Sequence, residues 1–157
     1  MSDQVKPIPD GYHSLNPYFV VSNAAEAIEF YQKALGAVER FRMEGPGNSV
    51  AHAEIQIGSS VLMLSDENPE QGAVSPQTLG GSPVHMLLYV EDVDAGYSQA
   101  LAAGATEVMP PTDMFWGDRF GKFSDPYGHQ WSIATHKENV SPEEMQKRAQ
   151  EAFAPQV

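Results

Sequence analysis

The chain has 157 residues, 41% of them hydrophobic and 13 of them glycine, enough for one ordinary core or for two small modules. Its 21 acids outweigh 9 bases for a formal charge of −12, so no basic stripe exists to neutralise nucleic-acid phosphates or an anionic membrane, and neutral or cationic small ligands are favoured. No cysteine is present for disulfides or thiol catalysis, no apolar run is long enough to span a bilayer, and the polar stretch Met1 to Asp10 is unlike a secretory signal, so a cytoplasmic protein is expected.

Residues 1–12 read as an extended N-terminal arm, punctuated by Pro7, Pro9 and Gly11. A strand over 14–21 follows, with Phe19 and Val21 on one face and Asn16, Tyr18 and Val20 on the other. Asn23 is a helix N-cap with Glu26 in the capping-box position. The helix runs from Ala24 to Leu35, because Ala27, Ile28, Tyr31, Ala34 and Leu35 recur at helical spacing and Gly36 can end it. Three strands are predicted next. The first, 38–43, is broken by Glu44-Gly45-Pro46-Gly47-Asn48. The second, 50–57, alternates Ile55 and Ile57 with His52, Glu54 and Gln56. The third, 61–65, turns Leu62 and Leu64 to the core and Val61, Met63 and Ser65 the other way. Residues 13–66 therefore form a β-α-β-β-β module, and 67–83, rich in Pro and Gly, form a surface linker.

The pattern restarts over 84–137. A strand over 84–90 sets Met86, Leu88 and Val90 opposite His85, Leu87 and Tyr89. A helix capped by Asp92 or Asp94 runs from Val93 to Ala103 and stops at Gly104, and a strand over 106–109 stops at Pro110-Pro111. Strands over 114–123 and 128–135 pair around Asp125-Pro126-Tyr127-Gly128. There Asp can bond nearby backbone, Pro presets φ, and Gly accepts positive φ. Gln130, Ser132 and Ala134 share the face opposite Trp131 and Ile133. Aligning Val21 with Val90 sets Asn23 on Asp92 and brings Gly36 within one residue of Gly104, a weak internal duplication. Residues 138–157 form a polar tail whose Ser141-Pro142-Glu143-Glu144 caps a short helix reaching Phe153.

Four stretches in this order carry a resemblance: Asn16-Pro17-Tyr18; Ala24 to Gly36; His52-Ala53-Glu54 leading to Leu62-Met63-Leu64-Ser65-Asp66; and Phe115-Trp116-Gly117-Asp118-Arg119-Phe120-Gly121. Together with Asp125-Pro126-Tyr127-Gly128-His129 they resemble the vicinal-oxygen-chelate superfamily, which includes glyoxalase I, bleomycin-resistance proteins and extradiol dioxygenases, and within it the PhnB-like branch. The resemblance spans residues 12–137. It implies an α+β fold of two tandem βαβββ modules, each a half-open curled sheet with its helix on the outer face. It also implies a homodimer that encloses a cleft for a small-molecule ligand.

Metal-dependent members of that superfamily place four ligands on the inner faces. Carried over by position, those places hold Asn16, Met63, His85 and Ser132. Only His85 is a good ligand for a divalent metal, so neither the metal cage nor any other cofactor is expected, and the carboxylate base of glyoxalase I chemistry has no counterpart there. The leading expectation is a metal-free binding protein whose ligand-binding residues are Asn16, Tyr18, His52, Glu54, Met63, His85, Trp116, Arg119 and Ser132, with no catalytic residue assigned. The alternative is a metal-dependent lyase, isomerase or dioxygenase using a displaced set, His52, Glu54 and His85. A further alternative is a structural or partner-binding role with the cleft filled by Met63 and Tyr89. Arg119 is expected to anchor a ligand carboxylate or to pair with Asp118 or Asp125, His129 and His136 to face solvent, and His13 to stand apart from the site.

Overall fold

The computed structural model describes residues 5–155, so the ends of the arm (1–4) and of the tail (156–157) lie outside the described residues. The chain divides into two compact units: one holds the chain up to Ser82 together with Pro126–Gly128, the other Pro83–Asp125 and everything from His129 onward. In the first unit, β1 (Tyr18–Val21), α1 (Ala24–Leu35), β2 (Val38–Glu44), β3 (Val50–Ile57) and β4 (Ser60–Asp66) build one sheet of order β1-β4-β3-β2. The connection after it carries a 3-10 turn (Pro69–Gln71) and the short helix α2 (Pro76–Leu79). In the second unit, β5 (His85–Tyr89), α3 (Val93–Ala103), β6 (Thr106–Asp113), β7 (Asp118–Ser124) and β8 (Gln130–His136) repeat the plan as β5-β8-β7-β6, and α4 (Pro142–Ala152) follows. Each open, curled sheet has one parallel pair, β1 with β4 and β5 with β8. The fold is thus α+β with two βαβββ modules, as the sequence pattern implies.

Both crossover helices start and stop on the expected chemistry. The Asn23 side chain accepts from the Glu26 N–H, the Asp92 side chain accepts from Ala95, and Gly36 closes α1 at φ 66°, a conformation without penalty for glycine. The apolar side of α1 (Ala27, Ile28, Phe30, Tyr31, Ala34) is buried, as are Phe19, Val21, Ile55 and Leu64 of the sheet it covers. Burial of each large side chain contributes about 1.5–3 kcal/mol. In the second unit Val93, Tyr97 and Ala100 of α3 are buried, as are Phe123, Trp131 and Ile133. The Trp131 ring stacks on Phe123 at 6.3 Å, and its indole N–H donates to the buried Asp125 carboxylate at 2.9 Å.

The duplication extends to the polar staples. The shift that carries Val21 to Val90 also carries Ala24 to Val93 and Asp66 to Thr135. The Asp66 carboxylate accepts from Ala24, the first N–H of α1, at 2.6 Å and from Val50 at 2.7 Å. Thr135 Oγ1 accepts from Val93, the first N–H of α3, at 2.9 Å and donates to the Val90 carbonyl at 2.8 Å. In both units the end of the last strand thereby caps its crossover helix.

Several boundaries differ from the sequence reading, each for a local reason. The first strand starts at Tyr18 rather than at Ser14, because Asn16 folds back on His13, accepting from its N–H at 3.1 Å and donating to its carbonyl at 2.6 Å. Asn16 therefore lies outside the strand. β6 runs on to Asp113 through Pro110-Pro111, where a stop was expected. It is an edge strand with register shifts, so the missing proline N–H groups break no ladder on a central strand. His129 is buried rather than solvent-facing, its N–H bound to the Asp125 carboxylate at 3.0 Å. Val61 is as buried as Leu62, although alternation turns it away from the helix. Among the described residues no helix is long and apolar enough to cross a membrane.

Candidate functional site

Strand register on the first sheet aligns four candidate side chains. Tyr18 pairs with Met63, Met63 with Glu54, and Glu54 with Phe41, a row across the face away from α1. His52 stands two residues from Glu54 on that face, opposite Met43. A hydrogen-bonded line runs through them. The Tyr18 hydroxyl is 3.0 Å from His52 Nδ1, and His52 Nε2 is 3.3 Å from Glu54 Oε1. Glu54 also takes the Tyr12 hydroxyl, and the Arg40 guanidinium lies over the Tyr12 ring, 5.6 Å from its centroid. That Tyr12 bond, helped by His52, holds the Glu54 carboxyl below its usual range despite partial burial. An ionised Glu54 accepts only, so the contact with His52 is a bond from the imidazole Nε2–H.

Beside this line lies an open recess of about 570 Å³, within the size range of small-ligand sites. The arm supplies most of its wall through Pro7, Ile8, Pro9, Tyr12, His13 and Ser14; Asn16, Glu54 and Met63 close it. Of the residues singled out in the sequence, the structure thus gathers Tyr18, His52, Glu54, Met63 and Asn16 around one face of the first unit. His13, expected to stand apart, lines the recess. Tyr12, Arg40 and Phe41 were missed. Their signal is positional only: Arg40 and Phe41 sit in a strand whose face alternates, and Tyr12 reaches Glu54 across a gap in sequence that no local pattern marks.

The other candidates belong to the second unit. His85 is exposed on β5 opposite Gln130, and Ser132 on β8 is buried, 6% exposed, opposite Leu87. Trp116 packs edge-on against Phe115 at 5.1 Å and Phe120 at 5.4 Å. Arg119 pairs with Asp94 (2.8 Å) and Asp113 (3.2 Å), not with its neighbours Asp118 or Asp125, and these two carboxylates raise its pKa further. The β7 strand carries Arg119 and Asp118 to opposite sides, which is why adjacency misleads here. Asp118 is buried and accepts from the Tyr89 hydroxyl at 2.8 Å; His136, with an exposed side chain, reaches it at 2.7 Å. A second recess of about 510 Å³ is lined by Asp113, Asp118, Arg119, Lys137 and Glu138 among others. Its carboxylates are committed to protein partners: Asp113 to Arg119, Asp118 to His136 and Tyr89, and Glu138 to Arg148.

The donor set at the four places where the resemblance puts metal ligands does not fit a divalent ion. The Asn16 amide is engaged on both sides by the His13 backbone, Met63 offers a thioether, and Ser132 a neutral hydroxyl. His85 alone has suitable chemistry. Of the displaced set, His52 and Glu54 are bonded to each other in the first unit, and His85 lies on β5 of the second. Among the described residues no three His, Asp or Glu side chains are gathered as a metal centre requires.

The chain is 43% identical over 136 residues to the uncharacterized protein Rv0887c of Mycobacterium tuberculosis, covering 85% of this chain and 80% of that one. Among solved structures, a gene product of Arabidopsis thaliana superposes with a TM-score of 0.64 at 27% identity, over 78% of this chain and 98% of that one. The PhnB protein of Bacillus cereus superposes with a TM-score of 0.60 at 18% identity, over 78% and 99%, a likeness of fold. A family model matches residues 13–133, from the Asn16–His13 turn to the middle of β8. The chain belongs to the Glyoxalase/Bleomycin resistance protein/Dioxygenase superfamily.

Proposed function

We propose that the protein is a small-molecule-binding member of this superfamily that acts as a homodimer and works without the family's metal cage. The observation that carries this reading is the recess of about 570 Å³ beside Glu54, whose wall mixes apolar residues (Pro7, Ile8, Pro9, Met63) with polar ones and has a polar line at its edge. Ligand pockets characteristically join such apolar lining to a few placed polar groups. The non-coordinating groups at Met63 and Ser132 support a binding role over metal-dependent chemistry. The test is calorimetric titration of a panel of small aromatic and aliphatic compounds into protein as isolated and after chelator treatment, with elemental analysis and mass determination alongside. Saturable binding at one site per subunit, unchanged by the chelator, in a particle of twice the monomer mass supports the proposal. One tightly held metal per subunit, lost together with binding, would overturn it.

The His52–Glu54 pair favours a second reading, metal-assisted lyase, isomerase or dioxygenase chemistry. It requires His52 Nε2 to leave Glu54 and coordinate instead. Metal content and turnover should then fall together in His52→Ala, and a full metal complement in that variant would remove the idea.

A further inference from the structure

We infer that the recess beside Glu54 selects organic amines, protonated primary or secondary ammonium groups carried on a compact apolar or aromatic body. This deepens the binding reading above and rests on it. Glu54 is the carboxylate among the lining residues, and neither lysine nor arginine lines the recess among the described residues. Arg40 is placed over the Tyr12 ring and is not part of the lining. A carboxylate offers about four lone-pair positions. The His52 Nε2–H and the Tyr12 hydroxyl take two, and the Glu54 side chain remains 20% exposed, so acceptor capacity is left for N–H donors arriving from the recess. Pro7, Ile8, Pro9 and Met63 supply apolar wall for the body of such a ligand, with His13, Ser14 and Asn16 completing the lining.

Ligand charge then decides selectivity. An anion would meet Glu54 with no cation in the lining, Arg40 acting on that carboxylate only from behind the Tyr12 ring, and a neutral isostere donates to the carboxylate without the added attraction of opposite charges. A quaternary ammonium keeps the charge but has no N–H to donate. An N–H-bearing ammonium satisfies both requirements.

Four probes that share a phenyl ring test this on the full-length protein: benzylamine, benzyltrimethylammonium, benzyl alcohol and benzoate, followed by calorimetry and amide chemical-shift mapping. Benzylamine is expected to bind about tenfold or more tighter than benzyl alcohol, the difference expected when a charged donor replaces a neutral one on the same carboxylate. Benzyltrimethylammonium should fall between them, and benzoate should not bind. Glu54→Gln should abolish the preference, bringing benzylamine to the level of the alcohol in the same variant. Tyr12→Phe, which frees an acceptor position on Glu54, should retain or strengthen amine binding, and it serves where Glu54→Gln fails to fold. Equal binding of benzylamine and benzyl alcohol, or amine binding unaffected by Glu54→Gln, overturns the amine assignment and leaves the binding reading standing. If no probe of any charge shifts the amides of residues 8, 10–16, 54 and 63, the binding reading falls with it.

Discussion

Replacing Asp66 with alanine removes both hydrogen bonds of the staple at the end of β4: the 2.6 Å bond from Ala24 at the start of α1 and the 2.7 Å bond from Val50 at the start of β3. Hydrogen bonds to a charged group contribute about 1.5–3 kcal/mol each. Both here are partly buried, so the lower half of that range applies, and the pair sums to about 3–4.5 kcal/mol. Loss of a carboxylate at a helix N-terminus adds about 0.3–1 kcal/mol. The sister residue Thr135 makes neutral bonds to Val93 and Val90, so Thr135→Ala should cost about 1–2 kcal/mol. Asp66→Asn keeps one acceptor but turns its NH₂ toward the other N–H, and should lie between the alanine variant and the parent protein. Urea denaturation followed by far-ultraviolet circular dichroism, with slopes compared between variants, measures all three. An Asp66→Ala protein within about 0.5 kcal/mol of the parent, or no weaker than Thr135→Ala, would refute the idea that these staples cap the crossover helices.

Other outcomes follow from single sites. Gly117 sits at φ 101°, and a Cβ there would overlap the Glu138 carbonyl, so Gly117→Ala should cost about 2 kcal/mol or more in thermal unfolding; a neutral effect would contradict the tight turn before β7. At Asp118, burial pushes the carboxyl pKa up, but the bonds from His136 and Tyr89 outweigh it and hold the value below the ordinary 3.8. His136 is raised above 6.5 by Asn139 and then by Asp118. The Asp118 contribution to stability is therefore present above pH 3.8 and lost as pH falls through its folded value. The His136 contribution is present below pH 6.5 and lost as pH rises through its folded value, so the contact is strongest between these limits. Nuclear magnetic resonance titration should place the imidazole of His136 above 6.5 and lower it in Asp118→Asn; a value at or below 6.5 in the parent protein would contradict the pairing. Tyr97 is buried and donates to Glu107, which together push its phenol up to about 12, so its absorbance should not titrate with the exposed tyrosines; ionisation near 10 would contradict that contact.

The helices and most strands are legible because their signals are local. Asn23 and Asp92 cap, Gly36 and Gly104 terminate, and the Ile55/Ile57 alternation marks a helix-facing side, so α1, α3 and β3 fall at the expected bounds. The duplication was visible as an offset between valines, and that same offset locates the staples at Asp66 and Thr135. What escaped depends on contacts distant in sequence. Proline reads as a strand breaker, yet β6 continues through two of them because an edge strand tolerates a missing donor. His129 follows a turn and looks solvent-facing, but the buried Asp125 carboxylate holds its N–H within the hairpin. The polar line Tyr18–His52–Glu54 was readable in part, since face alternation puts His52 beside Glu54. The arm was not: Tyr12 meets Glu54 only once the chain has folded back over its own sheet, and Pro7, Pro9 and Gly11 say where the chain bends but not what it covers.

The proposal that the arm-walled recess of the first unit holds a small organic ligand without a metal is tested most directly by amide chemical-shift mapping of chelator-treated protein during titration with benzylamine. Saturable shifts concentrated at residues 8, 10–16, 54 and 63, with the same affinity before and after chelation, are the expected result. Shifts confined to the second unit, or binding that returns only when a divalent metal is restored, would contradict the proposal.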